Sequence, residues 1–310
     1  MAAKTNLTTA AQITVNAREV DFVTRFGKNW DALRTIMGIM RPIRKAPGTK
    51  LVSYEATVDG TLAGGTSVAE GDEIPLTKMK VEPKTYGDIE IAKYAKSVSV
   101  EAVAKYGADV AVEKTDEAFL VALQNNVLGD FYTFLNTGSL AVAATTWQQG
   151  LALAKGNVLD KFASMDRDVT EVVGFANILD FYGYLGDKEI TTQTAFGLTY
   201  VQNFMGYSTL FLLPEKYIAK NKVIAVPVEN IDLYYIDPAD SDFAKLGLNY
   251  TVEGETNLIG VHVDGDYSRA TGDMYALMGM KLWAEYLDGI AVATITPAEA
   301  RSAKTVKAEQ

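Results

Sequence analysis

Residues 51–107 decide the fold of this 310-residue chain and read LVSYEATVDGTLAGGTSVAEGDEIPLTKMKVEPKTYGDIEIAKYAKSVSVEAVAKYG. Two segments that alternate between apolar and polar residues, Leu51–Val58 and Thr77–Ile91, flank a tip rich in glycine. An alternation with a period of two is typical of a half-buried β-strand. The stretch therefore predicts a long β-hairpin with two arms.

The predicted hairpin is long compared with a small domain. Each arm has about a dozen residues, so at roughly 3.3 Å per residue it extends about 40 Å. An isolated two-stranded hairpin is at best marginally stable in water, so we expect this one to lie against another subunit. Its local pattern fits equally well an ordinary hairpin that folds back on its own sheet. The residues of the hairpin predicted to contribute to assembly are Gly60, Gly64, Gly65, Glu70, Gly71, Lys78, Lys80 and Lys84.

Residues 16–39 predict an amphipathic helix or a pair of helices before the hairpin. Asn16, with Glu19 three residues later, resembles a capping box. An apolar stripe at helical spacing consists of Phe22, Phe26, Trp30, Leu33 and Met37. Because polar residues precede the stripe, we expect Phe22, Phe26 and Trp30 to contact a neighbouring subunit. Packing of the helix on its own domain is the alternative.

Further capping signals and apolar runs follow the hairpin. Ser99 and Gly107 predict the two ends of a short helix. The helix after it is predicted from about Thr115 to Leu135, with a buried stripe of Phe119, Leu120, Leu123, Val127, Phe131 and Phe134. The later elements are predicted as a helix at 147–162, a buried strand at 171–176, a helix from Asn177 to Tyr184 that Gly186 ends, β-rich segments at 210–235 and 248–296, and a polar tail.

Composition excludes several classes of function. The net charge of -10 and the pI near 4.8 argue against a protein that binds nucleic acid by neutralising its phosphates. The chain has no cysteine, so thiol chemistry and disulfides are impossible. His262, the single histidine, lies in an alternating segment and is interpreted as an ordinary strand residue. No phosphate-binding P-loop and no dinucleotide-binding glycine motif is present, so we expect no cofactor.

Two acidic clusters are the candidates for other chemistry. They consist of Asp237, Asp240 and Asp242, and of Asp264, Asp266 and Asp273. Neither has the ligand spacing of an EF-hand, and aspartate also favours turns for local reasons. We interpret both as solvated turns. A carboxylate-dependent hydrolase that uses Asp264 and Asp266, or a carbohydrate-binding β domain, is the alternative from a different class.

The amino-terminal residues contain no apolar segment of signal-peptide length, and no apolar run is long enough to span a bilayer. We therefore expect a protein that is made in the cytosol and has no membrane partner.

The order of elements resembles the major capsid proteins of tailed bacteriophages, of the Hong Kong 97 type. The strongest match is Val68–Pro75 (VAEGDEIP), followed by Ile89–Glu101 (IEIAKYAKSVSVE). In that family a similar turn ends the extended loop and precedes a lysine-rich strand and a helix start. EVVGFANILDF at 171–181 and NFMGYSTL at 203–210 are similar to two segments of the family's axial domain.

This resemblance implies an α+β fold and a structural subunit that is not an enzyme. The implied parts are an N-terminal arm at 1–50, an extended loop at 51–88, a peripheral domain with a long spine helix at 89–137, an axial domain at 138–247, a return to the peripheral domain at 248–296 and a C-terminal tail at 297–310. Such subunits form the hexamers and pentamers of an icosahedral head around double-stranded DNA. The implied location is the virion capsid, assembled in the host cytoplasm.

The resemblance also indicates the partners. The partner of the chain is itself, with a portal, decoration proteins and packaged DNA that is close but not bound by sequence. Residues 1–15 are too short for the scaffolding segment that some family members carry, so we expect a separate scaffolding protein. Covalent crosslinking through Lys78, Lys80 or Lys84 is not expected. A bacterial encapsulin, which has the same fold and encloses protein cargo, is the nearest alternative.

Overall fold

The computed structural model describes residues 18–26, 40–63, 68–69, 71–186, 193–195, 198–228, 230–252 and 257–296. Residues 18–26 are helical and form α1. The other α-helices in these ranges are α2 (Val100–Tyr106), α3 (Lys114–Leu135), α4 (Trp147–Ala163), α5 (Ile178–Leu185) and α6 (Ser241–Ala244). A π-helical turn, Asp109–Glu113, joins α2 to α3, and Leu287–Gly289 is a 3-10 turn. No helix in the described ranges is long and apolar enough to cross a membrane.

The strands form two large sheets and one isolated hairpin. They are β1 (Met40–Lys45), β2 (Leu51–Val58), β3 (Met79–Gly87), β4 (Ile91–Ser99), β5 (Leu140–Ala144), β6 (Val172–Asn177), β7 (Gln193–Ala195), β8 (Leu198–Phe204), β9 (Tyr207–Leu213), β10 (Lys222–Pro227), β11 (Ile231–Ile236), β12 (Thr251–Val252), β13 (Ile259–Asp266), β14 (Thr271–Ala284) and β15 (Ala291–Ile295).

Sheet I is built around β14, its longest strand. Strand β14 pairs with β13 from Thr271 to Met278, with β4 from Thr271 to Gly279 and with β11 from Gly279 to Ala284. Strands β1 and β12 complete the order β1-β11-β14-β13-β12, with β4 paired to β14 outside this order. Ser99 of β4 lies opposite Thr271, and Ile91 lies opposite Gly279. Strand β4 therefore runs from the middle of β14 to the first residue of β14.

Sheet II has the order β5-β15-β10-β6-β9-β8-β7 and is buried on both faces at its centre. Along β10, Val223 and Ala225 face a core formed with α4 and α5, whereas Ile224 and Val226 face a core shared with α3 and sheet I. Because both faces are covered, these strands are almost continuously apolar. Alternation with polar residues, the signal of a half-buried strand, is absent here for this reason.

Helix α3 joins the two sheets. Its residues Leu120, Leu123 and Val127 are buried in the core that includes sheet I, and Phe131 packs against Phe175 of sheet II with ring centroids 6.0 Å apart. The predicted stripe is confirmed at these four positions of α3. Phe119 and Phe134, which the prediction placed in the same stripe, are only partly buried.

Most predicted elements are confirmed. Ser99 accepts a hydrogen bond from the backbone N–H of Ala102 and Gly107 ends α2, as its signals predicted. Asn177 caps α5 through Leu179, and its own amide donates to the Ile218 carbonyl. The buried strand and the helix of 147–163 are also present.

The sheets do not follow the predicted segment boundaries. Strand β1, within the predicted arm, pairs with β11 in sheet I. Strand β11 lies within the segment predicted as axial, and β15, within the predicted return, belongs to sheet II. The second hairpin arm, predicted to reach Ile91, ends at Gly87, and Ile91 begins β4. Each difference involves pairing between distant parts of the chain, which local periodicity does not report.

Helix α1 lies in the core of its own subunit, whereas the sequence predicted that it contacts a neighbouring subunit. Phe22 is 0% and Phe26 1% exposed, and the Phe22 ring is 6.0 Å from that of Phe119 on α3. These two rings have no free surface for a neighbour. The buried carboxylate of Glu19 accepts hydrogen bonds from the Val263 N–H at 2.6 Å and the Thr251 hydroxyl at 2.7 Å, which ties α1 to sheet I. Asn16, Trp30, Leu33 and Met37 lie outside the described residues.

Candidate assembly surfaces

The hairpin of β2 and β3 pairs with no other described strand. Residues directly opposite each other in an antiparallel pair point to the same face. The register therefore places seven apolar side chains together: Val52, Tyr54, Ala56, Val58, Met79, Val81 and Pro83. We call this set the apolar face. Tyr54 is 72%, Val81 58% and Met79 57% exposed, so the face is largely open to solvent.

The opposite face of the hairpin is polar. Thr57 lies opposite Lys80, and Lys80 forms an ion pair with Glu82 at 2.5 Å. Lys78, just before β3, pairs with Asp59 at 2.5 Å. These exposed pairs contribute little to stability because water screens them. The hairpin is therefore amphipathic without a described element of its own subunit covering its apolar side.

The base of the hairpin is fixed to sheet I by aromatic contacts. The Tyr86 ring lies edge-on to that of Trp283 with centroids 4.8 Å apart, and Leu51 is buried beside Ile89 and Ile236. Lys281 donates a hydrogen bond to the Asp88 carbonyl at 3.1 Å. The arms project from this base, and the described residues of the hairpin join neither large sheet, which excludes the alternative of a hairpin folded back on its own sheet. The contact of the hairpin with another subunit stays a prediction.

The predicted tip residues are only partly described. Gly60 and Gly71 have φ values of 99° and 90°, which L side chains rarely adopt, so glycine is required for these turns. Gly64, Gly65 and Glu70, and the side chain of Lys84, lie outside the described residues. The contacts predicted for Lys78 and Lys80 with a neighbour stay predictions.

A cleft of about 710 Å³ separates the hairpin from the body of the subunit. Tyr54 and Ala56 of the apolar face form one wall. The other wall carries the ion pairs of Lys161 with Asp288 at 2.6 Å and of Arg167 with Glu285 at 3.4 Å. The cleft thus has one apolar wall and one wall with charges of both signs.

A second exposed apolar region lies on and just after α2, which contains no buried residue. Val100, Tyr106 and Val110 are each more than half exposed, and we call them the α2 surface. Sequence reasoning identified α2 by its caps but missed this surface, because only burial distinguishes an exposed valine from a core valine.

A buried ion cluster holds α1, β4 and α3 together next to α2. Asp116 is almost fully buried and binds both Arg18 and Lys96. Burial alone would raise the pKa of Asp116, but its hydrogen bonds and the charges of both cations outweigh this effect and lower the pKa. Burial, together with the nearby charge of Arg18, lowers the pKa of Lys96 in spite of its hydrogen bond and ion pair with Asp116. Sequence reasoning missed this cluster, since its members are far apart in the chain.

The interpretation of the two acidic clusters as solvated turns is confirmed only in part, because Asp237 is buried and because Asp264 and Asp273 lie opposite each other on β13 and β14. Asp237 is paired with Arg44 at 2.9 Å and accepts from the Ala239 N–H at 2.9 Å. Asp266 accepts from the Ser268 N–H at 2.8 Å, and Asp264 accepts from the Gly265 N–H at 2.8 Å. Among the described residues, no group of three or more acidic or histidine side chains could hold a metal ion. His262 lies on β13, as interpreted, with Nδ1 3.7 Å from Glu19.

The fold is similar to that of several solved phage chains. The chain is similar to one from the mature capsid of bacteriophage PhiM1, with a TM-score of 0.55 and 7% identity over 84% of this chain and 86% of that one. It is also similar to a chain from Mycobacterium phage Patience, with a TM-score of 0.54 and 12% identity over 94% and 90%. For the capsid of the cyanophage P-SCSP1u the TM-score is 0.50, with 9% identity over 84% and 86%.

No protein-family model matches the sequence, and no curated protein sequence matches it. At identities this low the similarity is one of fold. The fold is that of the major capsid proteins of tailed phages, the Hong Kong 97 type, as the sequence resemblance predicted.

Proposed function

We propose that the chain is the major capsid protein of a tailed bacteriophage, a structural subunit without enzymatic activity. One observation carries this proposal: a subunit with the fold of capsid proteins leaves one face of a projecting hairpin apolar and exposed. Large exposed apolar patches are typical of interaction sites. A second copy is the partner that every such subunit meets during assembly.

Burial of the apolar face supplies the driving force. Full burial of a valine or methionine side chain contributes about 1.5–3 kcal/mol, and several such side chains lie on the face. Part of this free energy is offset by the entropy lost on association. A closed shell repeats the contact at every subunit, so a modest free energy per contact is enough to stabilise the particle.

In this proposal the hairpin is the extended loop, α3 is the spine helix of the peripheral domain, and sheet II forms the axial domain. The subunits form hexamers and pentamers that close into an icosahedral head around double-stranded DNA. The net charge of -10 fits a wall that does not hold the packaged phosphates tightly. A separate scaffolding protein, a portal and decoration proteins complete the particle, which assembles in the host cytoplasm and persists as the virion.

Negative-stain electron microscopy and sedimentation of the purified protein test the proposal. We expect shells, tubes or rings from the unaltered chain and unassembled subunits from Val81→Asp, which places a charge on the apolar face. Thr57→Asp, on the opposite face, is the matched control and should still assemble. Normal particles from Val81→Asp would refute the role of the apolar face. A small species at all concentrations, with or without a scaffolding protein, would refute the shell subunit itself.

The contents of particles from infected or lysogenic cells decide between a phage head and an encapsulin. DNA that resists added nuclease is expected for the phage head. Particles that hold a protein cargo and no protected DNA would assign the chain to a cargo compartment.

A further inference from the structure

The apolar face and the α2 surface lie at opposite ends of sheet I. The hairpin base contacts β14 near Trp283, whereas the N–H of Val100, the first residue of α2, donates to the carbonyl of Ala270 just before β14 begins. From Ile91 to Ser99, strand β4 separates the two ends by about 26 Å, at roughly 3.3 Å per residue. Each subunit thus carries two separate exposed apolar surfaces.

The hairpin cannot cover the α2 surface of its own subunit. Tyr54 and Ala56 of the apolar face look across the cleft toward Arg167 and Tyr286, which lie beyond the far end of β14 from α2. No described element of the same subunit fills this cleft, so a second copy is the candidate occupant.

The size of the cleft fits a short helix. A helix of seven residues is about 10 Å long and about 10 Å across with its side chains, which corresponds to roughly 800 Å³. The cleft volume is about 710 Å³, and it is open at its sides. Helix α2 has seven residues, and all of them remain available because none is buried in its own subunit.

The side chains of α2 and those of the cleft are also chemically complementary. Helix α2 presents Val100 and Tyr106 for an apolar wall, and Glu101 and Lys105 supply one charge of each sign. The cleft offers the apolar face on one side and ion pairs with charges of both signs on the other. A helix with an apolar and a charged side can contact both walls favourably, whereas a purely apolar segment would bury the two ion pairs without any compensating polar contact.

We propose that α2 of one subunit docks in the cleft beneath the hairpin of the next subunit. This inference rests on the proposed shell function and names the receiving surface for the apolar face. Each copy uses two different surfaces, so the contact is heterologous and closes into a ring when the rotation between copies allows it. The apolar face and the α2 surface are then buried by the same event.

Disulfide trapping tests the contact. Because the chain has no native cysteine, only the introduced cysteines can form a crosslink. In the double variant Ala56→Cys with Tyr106→Cys, one cysteine lies in the cleft wall and the other on α2. Oxidation of assembled particles should give a ladder of crosslinked multimers on a non-reducing gel. The control pair, Thr57→Cys with Tyr106→Cys, moves the hairpin cysteine to the opposite face and should give no ladder.

The outcomes separate this inference from the proposed function. Particles that assemble but give no ladder with the Ala56→Cys pair would overturn the docking of α2 and leave the shell function standing. Absence of particles from the unaltered protein would instead refute the shell function.

A charge variant covers the case in which the cysteine pair itself prevents assembly. Val100→Lys should abolish particle formation while leaving the urea unfolding midpoint of the subunit unchanged, because Val100 is exposed. Normal particles from Val100→Lys would overturn the inference independently of the crosslinking result.

Discussion

Asp116, at the start of α3, accepts two hydrogen bonds from Arg18 of α1, and the distance from Arg18 Nη2 to Asp116 Oδ1 is 2.5 Å. Lys96 of β4 binds the same carboxylate. We expect Asp116→Asn to lower the free energy of unfolding by about 3 kcal/mol, because it leaves two cations without their counter-charge. Urea titration of the unassembled subunit measures this loss.

Glu117→Gln is the matched control for this substitution. It removes only the exposed pair with Lys114, so the free energy of unfolding should change by less than about 0.5 kcal/mol. An equally small change for Asp116→Asn would show that the cluster does not hold α1 against α3.

The lowered pKa of Asp116 predicts an acid-sensitive component of stability. A carboxyl group whose pKa is lower in the folded state contributes stability above its unfolded pKa, near 3.8, and loses it as the pH falls toward the folded value. Unfolding free energies measured from roughly pH 6 to about pH 2 should therefore fall less steeply for Asp116→Asn than for the unaltered chain. Parallel curves for the two proteins would contradict this assignment.

Phe22→Ala should destabilise the subunit itself. The ring is fully buried against α3, so its removal should lower the free energy of unfolding by about 3–5 kcal/mol. Val20→Ala, on the exposed side of the same helix, should change it by less than about 0.5 kcal/mol. If Phe22→Ala impaired assembly and left unfolding unchanged, the contact with a neighbour predicted from the sequence would be restored.

Gly260 is required by the close packing of β13 against the turn after β11 and the residue before β12. A Cβ at this position would collide with Pro238 and lie 2.8 Å from the Cβ of Tyr250. We expect Gly260→Ala to lower the thermal midpoint, with a cost of about 1–3 kcal/mol. Gly265→Ala on the same strand meets nothing within 4 Å and should be nearly neutral. Equal thermal midpoints for the two variants would show that the residues around Gly260 accommodate the added methyl group without a loss of stability.

The sequence was informative wherever local rules decide the structure. The caps at Ser99 and Asn177 and the alternation of the hairpin are properties of a few neighbouring residues, and all are confirmed. The placement of α1 was wrong because its apolar stripe has the same spacing whether it meets its own core or a neighbour. Only the three-dimensional arrangement shows that Phe22 meets Phe119.

The candidate surfaces were predicted in part. The register of the hairpin follows from its alternation, but its open apolar face depends on where the body of the subunit ends. The cleft could not be predicted, because Tyr54 of the hairpin and Arg167 in the segment after α4 are far apart in the chain. The cluster of Arg18, Lys96 and Asp116 could not be predicted either, because its residues come from distant parts of the chain.

Strand β14 also sets the mechanical character of the subunit. It pairs with β4 from Thr271 to Gly279, along the line from α2 to the hairpin base. A pulling force along this line would act on all of the hydrogen bonds between β4 and β14 at the same time, in shear. It would not break them one after another. We expect the subunit to be stiffest in this direction, which is the direction in which internal pressure would stretch neighbours that are held from hairpin to α2.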